Sequence, residues 1–309
     1  MLIHTVLGAG GAIADALTRE LIARQLPVRL VSRHAKPFSG TTVLSADLTD
    51  PAQTLEAVTG SAVVYLCVGL KYDYRLWRRE WPRIIDNTIE ACKRTQAKLI
   101  FFDNVYMYGR TDGPMTEDTS YDPSSKKGDL RARLATQIMS EVRKGNITAT
   151  IARSADFYGP GTAKTSIPDI LVFQRLLKGQ RPQWLLNAGV PHSLTYVPDA
   201  ARALALLGTD DTSWNQVWHM PTAPAITGEA FIEMAARALD KPASTQLIPA
   251  WMIRLGGLFD RTTAELYEML YQYEFAYHFD STKFEKAYGF VPTSYEEGIK
   301  TTVRERFRN

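Results

Sequence analysis

The chain has 309 residues, 36 basic and 33 acidic, a net charge of +3, and is 45% apolar. Those figures fit a soluble globular protein of one large or two smaller domains with a sizeable core, and the near-balanced charge argues against a nucleic-acid partner. No apolar run is long enough to cross a membrane, and two cysteines, Cys67 and Cys92, make neither a disulfide scaffold nor a zinc site.

The first half alternates strands and helices. An apolar strand over Ile3–Leu7 ends in Gly8-Ala9-Gly10-Gly11-Ala12, and a helix over Ile13–Arg24 follows. Further strands are expected at Val28–Val31, Thr42–Ser45, Ala62–Val68, Ala97–Phe102 and Thr148–Ile151. Helical patterns lie at Pro51–Val58, Tyr74–Thr95 and Gly128–Arg143. Continuous apolar strands alternating with helices predict an α/β fold, a Rossmann-type doubly wound parallel sheet buried on both faces. The tryptophans at 77 and 81, four apart, read as one packed helix face.

Beyond residue 155 the rhythm loosens. A turn is expected at Phe157–Gly161, a helix at Ile167–Leu177, and a helix at Asp199–Leu207 with Asp199 as its cap. A strand at Trp218–Met220 precedes helices at Thr227–Leu239, Trp251–Leu258 and Ala264–Tyr273. The expected organisation is a nucleotide-binding domain over 1–160, its sheet completed near 195–220, and a smaller, mostly helical substrate lobe over 161–309. The aromatics Trp251, Phe259, Tyr267, Tyr271, Tyr273, Phe275 and Tyr277 either line a pocket or pack that lobe. Cys67 and Cys92 read as buried free thiols. With a first strand that starts almost at Met1, they point to a cytoplasmic protein.

The glycine cluster carries the strongest chemical signal. Between a strand and a helix, glycines allow a tight turn and close approach to a pyrophosphate, and the helix N-terminus offers unpaired N–H groups. The loop Gly8, Gly10, Gly11, Ala12 and Ile13 is therefore a candidate dinucleotide cradle. At the end of the second strand, selection of NAD requires a carboxylate for the ribose 2′-hydroxyl. This chain has Ser32-Arg33 instead, two donors suited to a 2′-phosphate. NADP is the expected cofactor. NAD is the alternative if Arg33 only stacks on adenine or is solvated.

With Ala46-Asp47-Leu48-Thr49-Asp50, Asn104-Val105-Tyr106-Met107-Tyr108-Gly109, Arg153 through Gly161 and Tyr196 through Ala201, the chain resembles the extended short-chain dehydrogenase/reductases, in the NAD(P)-dependent sugar-nucleotide epimerase/dehydratase branch. The resemblance runs over nearly the whole length. It implies that Asp47 and Leu48 contact adenine, that Val68 and Gly69 pass beneath the ribose, and that Phe157 and Tyr158 lie near the nicotinamide. It also implies a small-molecule substrate, nucleotide sugars among the candidates, and a homodimer through the two long helices. Ala14 stands where the loop's third glycine falls.

The resemblance breaks at the family's catalytic tyrosine and lysine, four apart on a helix. Their places hold Lys127 and Arg131, and Asn104 takes the place of the Ser/Thr. Asn104 can bond a substrate oxygen, and like-charge repulsion from Arg131 would make Lys127 a candidate base. The other reading makes both cations anion-binding or surface groups. Tyr106 and Tyr108 are substitute phenols, although the tyrosine at Tyr108's place packs in relatives. His192 borders the substrate pocket in relatives; Tyr108, Asp156 and His192 are the candidate substrate contacts, and Asp156, if buried, would want Lys127 or Arg131 as partner. Structural roles are expected for His34 and His219. No metal site is expected. The functional expectation is an epimerase/dehydratase-like oxidoreductase with a degenerate dyad. The alternative is a catalytically silent NADP(H)-binding sensor or scaffold.

Overall fold

The structure, a computed structural model, describes residues 3–163 and 165–306. The described chain divides into two units. The first gathers the residues up to 104 with 129–153 and 200–218; the second gathers 105–128, 154–199 and the residues from 219 onward.

The first unit is an open sheet with helical connections. Its elements are β1 (Ile3–Leu7), α1 (Ala12–Ala23), β2 (Val28–Ser32), β3 (Thr41–Ser45), α2 (Pro51–Val58), β4 (Ser61–Leu66), α3 (Tyr74–Thr95) and β5 (Lys98–Asp103). They continue with α4 (Lys126–Arg143), which starts two residues earlier than expected, and β6 (Ala149–Arg153). A short strand, Val217–His219, joins outside β6, so the order across the sheet is Val217–His219, β6, β5, β4, β1, β2, β3. All pairings among β1 to β6 are parallel. The order reverses between β1 and β4, the switch point whose carboxyl ends form the ligand crevice of such sheets.

The helices form where the sequence supplies a face and a cap. In α1 the buried residues Ile13, Ala14, Leu17, Thr18 and Leu21 recur at helical spacing. Asp50 caps α2 by accepting from the Gln53 N–H at 2.9 Å, with Pro51 in the first turn. Asp73 caps α3, whose buried Trp77 and Trp81 form the packed face the sequence suggests. The Trp81 ring meets Phe101 of β5 edge-on at 6.0 Å.

The second unit has its own aromatic core, including Tyr158, Phe173, Trp184, Phe231 and Tyr295. The expected turn at Phe157–Gly161 is corrected in part, because Asp156–Tyr158 is a strand paired in parallel with Leu194–Tyr196. Three residues are too few to show a strand period. The Asp199 cap is also corrected. The helix starts at Val197, and the buried Asp199 carboxylate instead accepts from the Thr293 backbone N–H at 2.6 Å and hydroxyl at 2.8 Å. A buried carboxylate needs such donors. The C-terminal aromatics split by environment: Tyr273 and Tyr277 are buried, whereas Trp251 is 62% and Phe259 92% exposed. Two further helices, Thr282–Tyr288 and Tyr295–Arg306, complete the unit.

Candidate functional site

In the first unit the glycine turn is drawn against the end of β4. Gly8 has φ +96°, and a Cβ there would lie 2.7 Å from the Val68 backbone, so only glycine fits. Gly10, at φ +98°, needs glycine for its conformation and not for space. The Gly8 and Ala9 N–H groups both donate to the Val31 carbonyl of β2, at 2.8 and 3.1 Å. That fixes the loop so that the first turn of α1, with Ala12 and Ile13, keeps N–H groups without intrahelical acceptors. Sequence reading missed Asp15, whose Oδ1 accepts from the Gly10 N–H at 3.1 Å. Burial holds the Asp15 carboxyl above its ordinary value.

The ends of β2 and β3 bring Arg33 beside Asp47. The Asp47 carboxyl is held below its usual range, first by the Thr49 backbone N–H at 2.9 Å, then by the Thr49 hydroxyl at 2.8 Å, with a smaller contribution from the Arg33 guanidinium. No carboxylate stands on β2 or in the three residues after it. At the end of β5, Asp103 takes the two charge-assisted bonds of Arg131, from Nε at 2.7 Å and from Nη2, and its Oδ1 also accepts from the Asn104 N–H at 2.8 Å. Both side chains are buried, and the guanidinium lies 4.4 Å from the Trp81 ring centre.

In the second unit Lys127 is fully buried. Its Nζ donates to the Glu265 carbonyl at 2.9 Å, to the Glu265 carboxylate, and to Glu268 Oε1 at 2.7 Å. These bonds hold the Lys127 side chain against two carboxylates of the second unit. Lys127 and Arg131 therefore do not act on each other as a dyad: each is bound by carboxylates of its own unit. Their partners lie far away in sequence, out of reach of the family resemblance that put them in one dyad. The expected ion pair from Asp156 to Lys127 or Arg131 is corrected as well. Asp156 Oδ2 accepts from the Tyr273 hydroxyl at 2.7 Å and lies 3.1 Å from His192 Nε2.

His192 is buried between two parallel rings, Tyr273 at 4.7 Å and Tyr277 at 4.5 Å. Tyr106 lies close enough to Tyr271, Tyr273 and Tyr277 to act on all three hydroxyls. Tyr108 is buried: its hydroxyl bonds His219 Nε2 at 2.8 Å, while His219 Nδ1 donates to the Asp280 carbonyl at 2.7 Å. The Tyr158 side chain belongs to the core, its ring 5.5 Å from Phe231, and Phe157 is its half-buried strand neighbour. Among the described residues no cluster of three metal-ligating side chains occurs, and no helix is long and apolar enough to cross a membrane.

A parallel sheet in this strand order, with a glycine turn closed on its switch point, defines a nucleotide-binding Rossmann protein. The model of the NAD dependent epimerase/dehydratase family matches residues 4–217, and the chain belongs to that family. It is an epimerase/dehydratase-like oxidoreductase of the short-chain dehydrogenase/reductase kind, built for NAD(P). No match was found among the curated proteins. Among solved structures, the chain is similar to DesIV, a dTDP-glucose 4,6-dehydratase from Streptomyces venezuelae with NAD and TYD bound, at 16% identity and TM-score 0.80, covering 100% of this chain and 98% of that one. It is similar to MoeE5 in complex with UDP-glucose and NAD at 19% and 0.80, covering 100% and 99%. It is also similar to the UDP-glucose 4-epimerase of Thermus thermophilus with NAD, at 19% and 0.79 with the same coverage. At these identities the likeness is one of fold.

Proposed function

We propose that this chain is an NADP-dependent oxidoreductase or epimerase acting on a small hydroxylated or carbonyl substrate, with nucleotide sugars as the first class to test. The observation that carries the cofactor choice is the end of β2, where Ser32 and Arg33 stand and a carboxylate does not. Backbone N–H groups from Gly11 to Ile13 would hold the pyrophosphate, with Gly10 shaping the turn, Ser32 and Arg33 the 2′-phosphate, and Asp47 with Leu48 the adenine. The family resemblance alone supports Phe157 and Tyr158 as neighbours of the nicotinamide. The cofactor, when bound, would supply hydride-transfer chemistry there. The similar structures named above contain NAD, so the NADP preference rests on this chain's own residues. The substrate class rests on those same structures, two of which contain UDP-glucose or concern a UDP-glucose epimerase. A homodimer through α3 and α4 and a cytoplasmic location complete the proposal, the latter supported by two buried free thiols.

One observation favours a second reading, a catalytically silent NADP(H)-binding protein: the cations at the dyad positions are both locked in ion pairs. Turnover separates the two. Nicotinamide absorbance is followed with UDP-glucose, dTDP-glucose and simple aldehydes and ketones, beside direct NADPH binding. Turnover of any of these sinks the silent reading. Tight NADPH binding with no turnover across the series sinks the enzyme reading.

A further inference from the structure

Hydrogen-bond accounting around His192 leads to a proton that the sequence did not show. His192 Nδ1 lies 3.1 Å from the Gln272 backbone carbonyl, which can only accept, so Nδ1 carries a hydrogen. Nε2 faces Asp156 Oδ2 at 3.1 Å. Two lone pairs at that distance repel, so one proton lies between them. The pair is either an imidazolium with a carboxylate or a neutral imidazole with a carboxylic acid. The ring cannot turn away, because Tyr273 and Tyr277 stack on its two faces and Trp184 meets its edge at 6.0 Å.

We propose that Asp156 and His192 share one proton and form the acid/base group of the second unit, presented through Asp156 to a hydroxyl or carbonyl oxygen of an uncharged ligand moiety. This rests on the oxidoreductase reading and deepens it. His192 is 1% exposed and cannot meet a ligand, whereas the Asp156 side chain is 20% exposed. Asp156 Oδ2 is held by Tyr273 and His192, and Oδ1 has no hydrogen-bond partner among the described residues. The other titratable groups facing the pair are phenols: Tyr106, Tyr271, Tyr273 and Tyr277, with Glu268 beside Tyr271 and itself bridged to Lys127. Burial, and then the Asp156 charge, hold Tyr273 and Tyr277 well above the ordinary phenol range. They act as fixed donors or packing groups and leave proton exchange to the pair.

A second observation points to a ligand oxygen or water beside this cluster. Gln272 is 4% exposed and its side-chain Nε2 has no hydrogen-bond partner among the described residues. The residue lines a cavity of about 10 Å³ with Gly109, Arg110, Met115, Tyr271 and Tyr277. That volume holds one water-sized oxygen, and a buried donor without a partner on a lining residue is satisfied by such an oxygen. Taking a proton, Asp156 Oδ1 forms a new O–H bond as the ligand's O–H bond breaks and its electrons stay on the ligand oxygen, while the shared proton stays between Oδ2 and His192 Nε2. Donation is the reverse: the Oδ1–H bond breaks as a ligand oxygen gaining negative charge takes the proton, and water restores it. Asp156 is the group that meets ligand; His192 is a positioning residue.

The test is carbon-13 and nitrogen-15 NMR of the histidines and aspartates in the full chain at pH 7. The expected result is a protonated His192 Nε2 with an ionised Asp156, or a bare Nε2 with a protonated Asp156. A bare Nε2 beside an ionised Asp156 overturns the shared proton. His192→Gln keeps a donor to Asp156 and is expected to leave an ordinary carboxylate there. If Asp156→Asn fails to fold, that variant carries the comparison. With UDP-glucose as the probe, the wild-type His192 resonances are expected to shift, and no shift at saturating probe overturns the ligand-facing role. In turnover, Asp156→Asn is expected to lower kcat by about 100-fold or more with KM little changed; an unchanged kcat also overturns it. A shared proton that responds to UDP-glucose without any turnover supports this proposal and removes the oxidoreductase reading.

Discussion

Replacing Arg131 with Met is expected to act on stability. Arg131 and Asp103 are both nearly fully buried, and the two guanidinium bonds converge on Oδ1, leaving Oδ2 without a partner among the described residues. Removing the cation leaves a buried carboxylate whose remaining bond is the one from the Asn104 N–H. Breaking a buried pair from one side typically costs about 3–5 kcal/mol. Loss of the guanidinium from the Trp81 and Phe101 rings, at 4.4 and 4.9 Å, adds roughly 1 kcal/mol. For a chain of this size that corresponds to a fall in Tm on the order of 10 °C. Urea unfolding followed by tryptophan fluorescence measures it, and the Asp103→Leu/Arg131→Met double variant is expected to recover much of the loss. A single variant within about 0.5 kcal/mol of wild type would refute the structural role and return Arg131 to the catalytic candidates.

Three further outcomes follow from the same geometry. Gly8→Ala places a Cβ 2.7 Å from the Val68 backbone at φ +96°, so stability is expected to fall by about 1–3 kcal/mol and NADPH affinity with it; unfolding and fluorescence titration measure both. Asp15→Asn removes a negative charge beside the Gly10 N–H while keeping an acceptor there. NADPH should bind several-fold tighter at pH 7, a change on the order of 1 kcal/mol. Because burial raises the Asp15 carboxyl, wild-type affinity should climb as the pH falls through that raised value, and the advantage of the variant should vanish there; weaker binding by the variant would count against the role. Burial pushes both Cys67 and Cys92 up to about 12, so neither should react with a thiol reagent at pH 8 until the protein unfolds, as a labelling time course would show.

The part of this molecule legible in its sequence is the part governed by local pattern. Buried parallel strands are continuous apolar runs, so β1 falls on Ile3–Leu7 as read, and the glycine cluster sits at the turn it implies. Ser32 and Arg33 were visible because the selecting position lies at a fixed place after a strand. The polar partnerships were not visible, because burial and long-range packing set them. Lys127 finds Glu265 and Glu268 some 140 residues away, and Asp156 finds Tyr273 117 residues away. The family resemblance makes Lys127 and Arg131 neighbours in function; the carboxylates that bind them come from other elements. Asp103 carried a faint signal, a charged residue closing an otherwise apolar strand, and Tyr273 carried less, one aromatic among many.

The most direct test of the dinucleotide assignment is a comparison of NADPH and NADH dissociation constants, by calorimetry, for the wild type and Arg33→Ala. The wild type is expected to prefer NADPH by about tenfold or more, from a charge-assisted bond to the 2′-phosphate, and Arg33→Ala to lose most of that preference with little change toward NADH. Equal or tighter NADH binding by the wild type, or an Arg33→Ala variant that keeps the full preference, would contradict it.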